Sequence, residues 1–509
     1  MLYVQILGPR VAAEIQGIAL QYRLYRDPNS GDRVKSPRLV PPFIEAMFVT
    51  TIFALGLFGI LRPLYATSLK SVPNPNEGWL AVAVAAWRDG LPLYPGPEEF
   101  FVVNYPPLAF IPYRALDAVF GDVILAGRWL SWLLFLILCL AVSGAVYTAA
   151  KRFWPAFVSG ILVFATFSVW YTGNLGIAEP QLLGHVLTLF ALFILLRSPE
   201  SWVALCLATV LMLAAGLVKP NLLGFPLGVA GWLWWTRPRD FLFWVFGCIV
   251  ALGLTALALF LCFGGNFFFP NVLLGRVYSL HVLLQNMKVI SSIAVPLCVC
   301  LLFLNKLRST QSGLLICFVM LGSLIELLST GAAFGTAYNV GYDLALSACV
   351  GTGVLLGQLE DVRLQKSRLR AIDLILFAVI VSMMVAILPK LSKRDLSLET
   401  RIYLLRRDKE IRRVVAVLSS IQGNVACVHL SYCYWAGKRS RTDLSMLPQG
   451  YFQPTRSPIM LRRQIEYRSF AAIELGSVPP RGFDLSEYRP VYSADPSVLD
   501  SIVSMPSTR

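Results

Sequence analysis

The sequence is short of charge, shorter still of acid, and almost without histidine. Asp, Glu, Lys and Arg make up 14% of its 509 residues, where a soluble globular chain carries about a quarter, and there are three histidines. There is no GxxxxGK[ST] loop, no dinucleotide-binding glycine fingerprint and no HExxH pair, so ATP-driven transport and zinc proteolysis lack their sequence supports. No cleavable leader is expected, because residues 1–40 are polar and basic rather than apolar followed by small residues. No internal repeat is visible.

What the chain has is apolar length. Its hydrophobic content is 56% and its mean hydropathy +0.65. A hydrocarbon core of about 30 Å takes roughly 20 mostly apolar residues per helical crossing. Eleven segments fit that requirement, at residues 43–62, 123–149, 153–171, 179–196, 201–218, 220–236, 241–263, 289–305, 312–330, 341–358 and 371–389. The expected fold class is therefore an all-α polytopic membrane domain of about eleven transmembrane helices.

Lysine and arginine are themselves absent from two of the intervening connections. None occurs at 173–178 or 331–340, whereas Arg23, Arg26, Lys35 and Arg38 precede the first segment and Lys151, Arg152, Arg197, Arg237, Arg239, Lys306, Arg308, Arg363 and Lys366 mark the other loops. Positive loops are retained in the cytoplasm. That places residues 1–42 inside and, with an odd number of crossings, the domain 390–509 outside, in a plasma or inner membrane. The net charge of +15 and pI near 9.4 are largely these flanking residues, so anionic lipid headgroups rather than nucleic acid are the expected partner.

Eight of the ten cysteines fall in apolar segments, where a thiol packs as a small hydrophobe. Cys427 and Cys433 lie in the outer tail, where a disulfide is chemically permitted; with His429 between them they match no recognised zinc spacing.

The connection 63–122 is far longer than two crossings need. Asn74, Pro75 and Asn76 break the chain, and 77–89 reads as a short helix, ended by Gly90, whose tryptophans suit the outer headgroup zone. Gly264–Pro270 precedes a mildly amphipathic run to about Lys288 that reads as a second interface helix. In the tail, a basic helix is expected at about 398–419, strands at 424–431 and 470–475, and a loosely ordered end from about 478, making a small α/β domain.

Several motifs in this order resemble the GT-C superfamily of polytopic glycosyltransferases, whose members include protein O-mannosyltransferases and the lipid A aminoarabinose transferase. They are an acid opening an outer helix (Glu77), a G-x-P-x-Y turn (Gly90–Tyr94), Tyr105-Pro-Pro-Leu108, Arg128-x-x-Ser131, Ala178-Glu179-Pro180, Lys219-Pro220-Asn221 and Tyr338-Asn339-Val340-Gly341-Tyr342. In the tail, Ala436–Lys438 and Ile465–Phe470 are similar to parts of the family's outer domain. The resemblance covers about residues 43–475. Two positions depart from the pattern: Asn76 precedes Glu77 where relatives pair two acids, and Glu179 stands where Asp is commoner.

The resemblance implies transfer of a sugar from a polyprenyl-phosphate donor to an extracytoplasmic glycan, lipid or protein, by inversion. Such a donor carries its own leaving group, so a carboxylate to deprotonate the incoming hydroxyl and a cation for the departing phosphate suffice. Glu77 is the implied base, although an acid opening a helix is also favoured by the dipole. Glu179, at the mouth of a span, is the second acid. Lys219 is the first candidate for the phosphate, with Arg276 and Lys288 behind it and Arg128 either there or paired with a first-loop acid; each also reads as an ordinary snorkelling cation. Tyr105, His185, Tyr338, Asn339 and Tyr342 are candidates for sugar or acceptor contact, against a plain packing or interfacial role. A divalent cation, magnesium or manganese, is an open cofactor assignment with no metal ligands to name. The competing function is a transporter or flippase of lipid-linked saccharides. Against it, the polar candidates cluster on one face instead of at a midplane.

Overall fold

The computed structural model describes residues 43–71, 74–96, 99–264, 271–272, 278–333, 335–359, 371–392, 398–438, 441–444, 461, 463–465, 467, 469–475, 488–497, 499 and 501–506. The expected cytoplasmic segment 1–42, Arg276 and most of 264–277 lie outside the described residues.

A helix stands at each of the eleven apolar segments. Seven are long and apolar enough to cross a membrane alone: Phe43–Ala66, Val123–Ala150, Phe153–Trp170, Pro238–Phe263, Gln311–Thr330, Tyr338–Leu359 (which includes a first 3-10 turn) and Ala371–Leu388. Leu280–Asn286 and Val289–Leu302, bent by 59°, make an eighth if taken as one span. Gln181–Arg197 and Trp202–Val218 have 17 residues each and Gly224–Thr236 has 13. At 1.5 Å per residue the first two rise about 25 Å. The chain is an integral membrane protein.

Local chemistry sets the helix ends. The Asp122 carboxylate accepts from the Ile124 and Leu125 amides, both at 3.0 Å, and so opens Val123–Ala150. The hydroxyls of Ser201 and Thr310 open the helices after them in the same way, at 3.3 and 3.1 Å. Between helices, close approach rests on small residues. A Cβ on Gly228 would lie 2.3 Å from the Val319 Cα, and one on Gly322 the same distance from the Gly224 carbonyl oxygen. This Gly-x-x-x-Gly face lets two helices meet at backbone distance, where dispersion replaces a hydrophobic drive that lipid does not supply.

Outside the spans, helix Asn76–Arg88 corrects the expected placement on the leaflet. Trp79 is 9% exposed, and Leu80, Ala81, Val82, Ala83 and Val84 are no more than 4%. The helix is apolar on most sides because it is enclosed, between Phe110, Tyr113, Val123 and Ile124 on one side and Leu430 of the tail on another. The amphipathic element is instead Ile111–Phe120, which exposes Ile111, Val119 and Phe120, buries Tyr113 and Asp117, and ends at Gly121 with φ of 69°.

The tail folds as helix Leu398–Ser420 and short helix Leu430–Trp435 beside a four-stranded sheet of order β1-β2-β4-β3. Strand β1 (Val425–Cys427) runs parallel to β2 (Ala472–Leu475), and β4 (Ile502–Pro506) is antiparallel to both β2 and β3 (Tyr488–Ser493). The two later strands replace the loosely ordered end expected from about 478. They are too short and too polar to announce themselves, and Pro490 sits in β3 because an edge strand tolerates a missing donor. Cys427 and Cys433 form a disulfide that ties β1 to helix Leu430–Trp435.

This tail is fastened to the long loop that follows the first span. Arg441 donates to the Pro92 carbonyl and to Glu99 Oε1, both at 2.6 Å, and the Asp443 amide donates to the Phe100 carbonyl at 2.8 Å. The Tyr434 hydroxyl accepts from the Val123 amide at 2.8 Å, and the Trp435 indole donates to Asp122 at 3.1 Å.

Candidate functional site

Two buried ion pairs organise one end of the bundle. In the first, Glu77 and Arg128 are both fully buried, and the guanidinium grips the carboxylate in a fork, Nε to Oε1 at 2.7 Å and Nη2 to Oε2 at 2.8 Å. The Ala178 amide donates to the same Oε1 at 2.9 Å. The remaining Arg128 donors hold loop carbonyls: Thr67 at 3.2 Å, Leu69 at 2.5 Å and Ser71 at 2.7 Å. One cation thus pins the exit of the first span, the start of helix Asn76–Arg88 and the turn before Glu179 to a single point.

In the second pair, Lys219 Nζ donates to Glu179 Oε1 at 3.1 Å and to Gln181 Oε1 at 2.7 Å. Lys219 is the C-cap of Trp202–Val218, and Pro220 stops the helix there. Glu179 reaches it through a turn in which Gly176 adopts φ of 64°, in the left-handed region where a side chain is strained. The Tyr105 hydroxyl donates to Glu179 Oε1 at 3.2 Å, and the ammonium lies 5.3 Å from the Tyr105 ring centre. Burial raises the Tyr105 phenol above its ordinary value, so it stays a donor.

A cavity of about 310 Å³ opens beside this second pair. Tyr105, Lys219 and Asn339 line it, with Trp79 of the buried helix, and the tail contributes Asp443. Glu179 stands behind Lys219 and Tyr105, 5% exposed.

Gln181 extends the network inward. Its Nε2 donates to the Asn339 carbonyl at 2.7 Å and lies 3.1 Å from His185 Nε2, while His185 Nδ1 is 2.9 Å from Asp343 Oδ1. A continuous polar chain therefore runs from the cavity wall into helix Tyr342–Leu359. Nearby, Glu326 accepts from the Gly224 amide at 2.9 Å.

Of the residues marked in the sequence, the structure gathers Tyr105, Glu179, Lys219 and Asn339, with His185 one hydrogen bond behind Gln181. Glu77 and Arg128 pair with each other away from the cavity lining. Tyr342 packs among Phe167 and Tyr171, with ring centres 4.8 and 4.7 Å away. Tyr338 is 51% exposed, and Lys288 is exposed and outside the lining. Sequence reading overlooked Gln181, Asp343, Glu326 and Asp443. For Glu326 and Asp343 the signal was available, since an acid inside an apolar span is expensive unless it is partnered. For Asp443 there was none.

Among the described residues, no group of three or more His, Cys, Asp and Glu side chains is placed to hold a metal ion. The donor set among the described residues therefore does not fit a magnesium or manganese site.

Taken together, the helical bundle, the long loop after the first span and the small sheet define a polytopic membrane fold. Particular solved structures share it. ArnT from Cupriavidus metallidurans bound to undecaprenyl phosphate superposes with a TM-score of 0.55 at 10% identity, covering 90% of this chain and 97% of that one. The same protein in the apo state gives 0.55 at 11%, with the same coverage. The Archaeoglobus fulgidus oligosaccharyltransferase tethered with an acceptor peptide gives 0.49 at 9%, over 85% of this chain and 69% of that one. The two ArnT structures carry the fold assignment. By sequence, the chain matches no family profile and no curated protein.

Proposed function

We propose that this protein is a membrane glycosyltransferase that moves a sugar from a polyprenyl-phosphate donor to a hydroxyl of an extracytoplasmic glycan, lipid or protein, with inversion. The observation that carries the reading is a buried cation, Lys219, held by Glu179 and Gln181 in the wall of a cavity at the outer end of a GT-C bundle. In the reaction, the acceptor oxygen forms its bond to the anomeric carbon as that carbon's bond to the phosphate oxygen breaks. Polyprenyl phosphate leaves with the electron pair, and the acceptor proton passes to a carboxylate.

Glu179 is the carboxylate assigned to that proton, because it sits directly behind the lining. Lys219 answers the charge on the departing phosphate. Glu77, with three donors already on its oxygens, is assigned as a positioning residue that acts through Arg128. The cavity faces the non-cytoplasmic side, residues 1–42 face the cytoplasm, and the tail is outside. The lysine and arginine distribution supports this orientation, and so does a disulfide in the tail, a bond that persists in oxidising compartments.

The test is donor consumption by the purified protein in nanodiscs, offered a panel of polyprenyl-phosphate sugars and read as released polyprenyl phosphate. Glu179→Gln and Lys219→Met should each lower kcat/KM by about 100-fold or more. Redistribution of intact donor between leaflets, with none consumed, would replace this reading with a flippase.

A further inference from the structure

Half of the chain's twelve asparagines line one cavity. Asn74, Asn76, Asn104, Asn174, Asn221 and Asn339 are six of its seventeen described lining residues, drawn from five separate stretches of the sequence. An even scatter of asparagine along the chain would leave fewer than one there. Helix packing does not account for the grouping, since only Asn76 lies in an α-helix; Asn174 and Asn339 lie in 3-10 turns, the second of which opens the Tyr338–Leu359 span.

The chemistry of the carboxamide narrows what these groups meet. A carboxamide offers an acceptor oxygen and two N–H donors at a single planar end, without charge; of the six, the Asn74 oxygen already accepts from the Asn76 backbone amide at 2.9 Å. Adjacent sugar hydroxyls both donate and accept, so one amide answers two of them at once. A cationic ligand would instead call for carboxylates facing the cavity, and an anionic sugar for uncompensated arginine or lysine. Among the described residues neither is provided. The Lys219 charge is matched by Glu179 at 3.1 Å, and Asp443, the one carboxylate of the described lining, is 2% exposed and makes interactions of its own. Trp79 and Tyr105, edge to face with ring centres 5.1 Å apart, add the apolar wall on which the C–H face of a sugar ring rests. At about 310 Å³ the cavity lies at the small end of the usual range for ligand sites, which suits a single sugar better than an oligosaccharide.

We infer that the group taken by this cavity is an uncharged, polyhydroxylated monosaccharide, read through its hydroxyls by asparagine amides, and not an amino sugar or a sugar acid. The inference rests on the glycosyl-transfer reading above and names its substrate class.

The experiment uses the full chain in nanodiscs and three synthetic donors on the same polyprenyl phosphate: a neutral hexose, a 4-amino pentose and a hexuronic acid. Binding and turnover are measured separately, by calorimetric titration and by released polyprenyl phosphate. The expected result is binding of the neutral donor at least tenfold tighter than of either charged one, with turnover in the same order. Asn104→Ala and Asn221→Ala, both at partly exposed positions, should each weaken the neutral donor by about tenfold while leaving binding of sugar-free polyprenyl phosphate unchanged. Asn104→Asp should narrow the gap between the neutral and amino donors. Preference of the unmutated protein for the amino or acidic donor, or indifference among the three, overturns the inference. Tight, asparagine-dependent binding of the neutral donor without consumption keeps the inference and removes the transfer reading.

Discussion

Glu77→Gln separates two accounts of the same side chain. If Glu77 is the base implied by the family resemblance, the variant loses transfer while folding and inserting normally. The structure gives a different expectation. Glu77 and Arg128 are fully buried and joined by a two-pronged contact at 2.7 and 2.8 Å. An amide keeps the shape of the carboxylate but removes its charge and turns one acceptor into a donor that faces an N–H. The guanidinium is left buried without a counter-charge, a loss of about 3–5 kcal/mol. At roughly 2 °C per kcal/mol for a large chain, the unfolding temperature should fall by about 6–10 °C. Arg128→Met should fall comparably. The double variant should lose less than the sum of the two, by about 1–3 kcal/mol of coupling. The assay is thermal unfolding of detergent-purified protein at one fixed scan rate, because unfolding of such a chain is governed by rate. An unchanged unfolding temperature together with abolished transfer would refute the positioning role and restore Glu77 as the base.

Three further outcomes are expected. Gly78→Ala should destabilise the protein by about 1–3 kcal/mol, since the new Cβ would stand 2.2 Å from the Ser431 amide nitrogen, with no flexible side chain to yield; faster proteolytic release of the tail reports it, and unchanged resistance counts against the packing described. Reduction of Cys427–Cys433, whose partners are six residues apart, should lower the stability of the tail by about 2 kcal/mol. In intact cells an impermeant maleimide should label these positions only after reductant; labelling without it would overturn the disulfide, and no labelling even after reductant would overturn the outer placement. Because burial raises the Tyr105 phenol, the folded state holds that proton where the unfolded chain releases it. Its contribution is therefore complete below the ordinary value of about 10 and is lost as pH rises above it, so Tyr105→Phe should flatten part of the alkaline fall in stability seen in a pH series of unfolding temperatures.

The bundle was legible because apolar length is a local property: each of the eleven runs became a helix at nearly the expected limits. How many of them cross is less local. Gln181–Arg197 and Gly224–Thr236 are short, and their depth depends on what surrounds them. The site was legible one residue at a time and illegible in its pairings. Glu77 and Arg128 are 51 positions apart, and Glu179 and Lys219 are 40 apart. No periodicity announces which acid meets which base. Helix Asn76–Arg88 misled for the same reason, because its tryptophans suit a headgroup zone as well as they suit the underside of a domain more than 300 residues downstream. Gln181 carries a legible signal of its own, because an amide in an apolar helix needs partners, and it has three.

The fastening of the tail to the first outer loop sets an order of manufacture. Asp443 belongs to the cavity wall, yet it is synthesised after every span has left the ribosome. On the orientation proposed, a nascent chain with its bundle fully inserted still has an unfinished pocket, completed only once the tail has been exported and has docked through Arg441, Tyr434 and Trp435. Deleting the tail would therefore not liberate a minimal enzyme but would leave one with a missing wall, and quality control at the export step becomes control over activity.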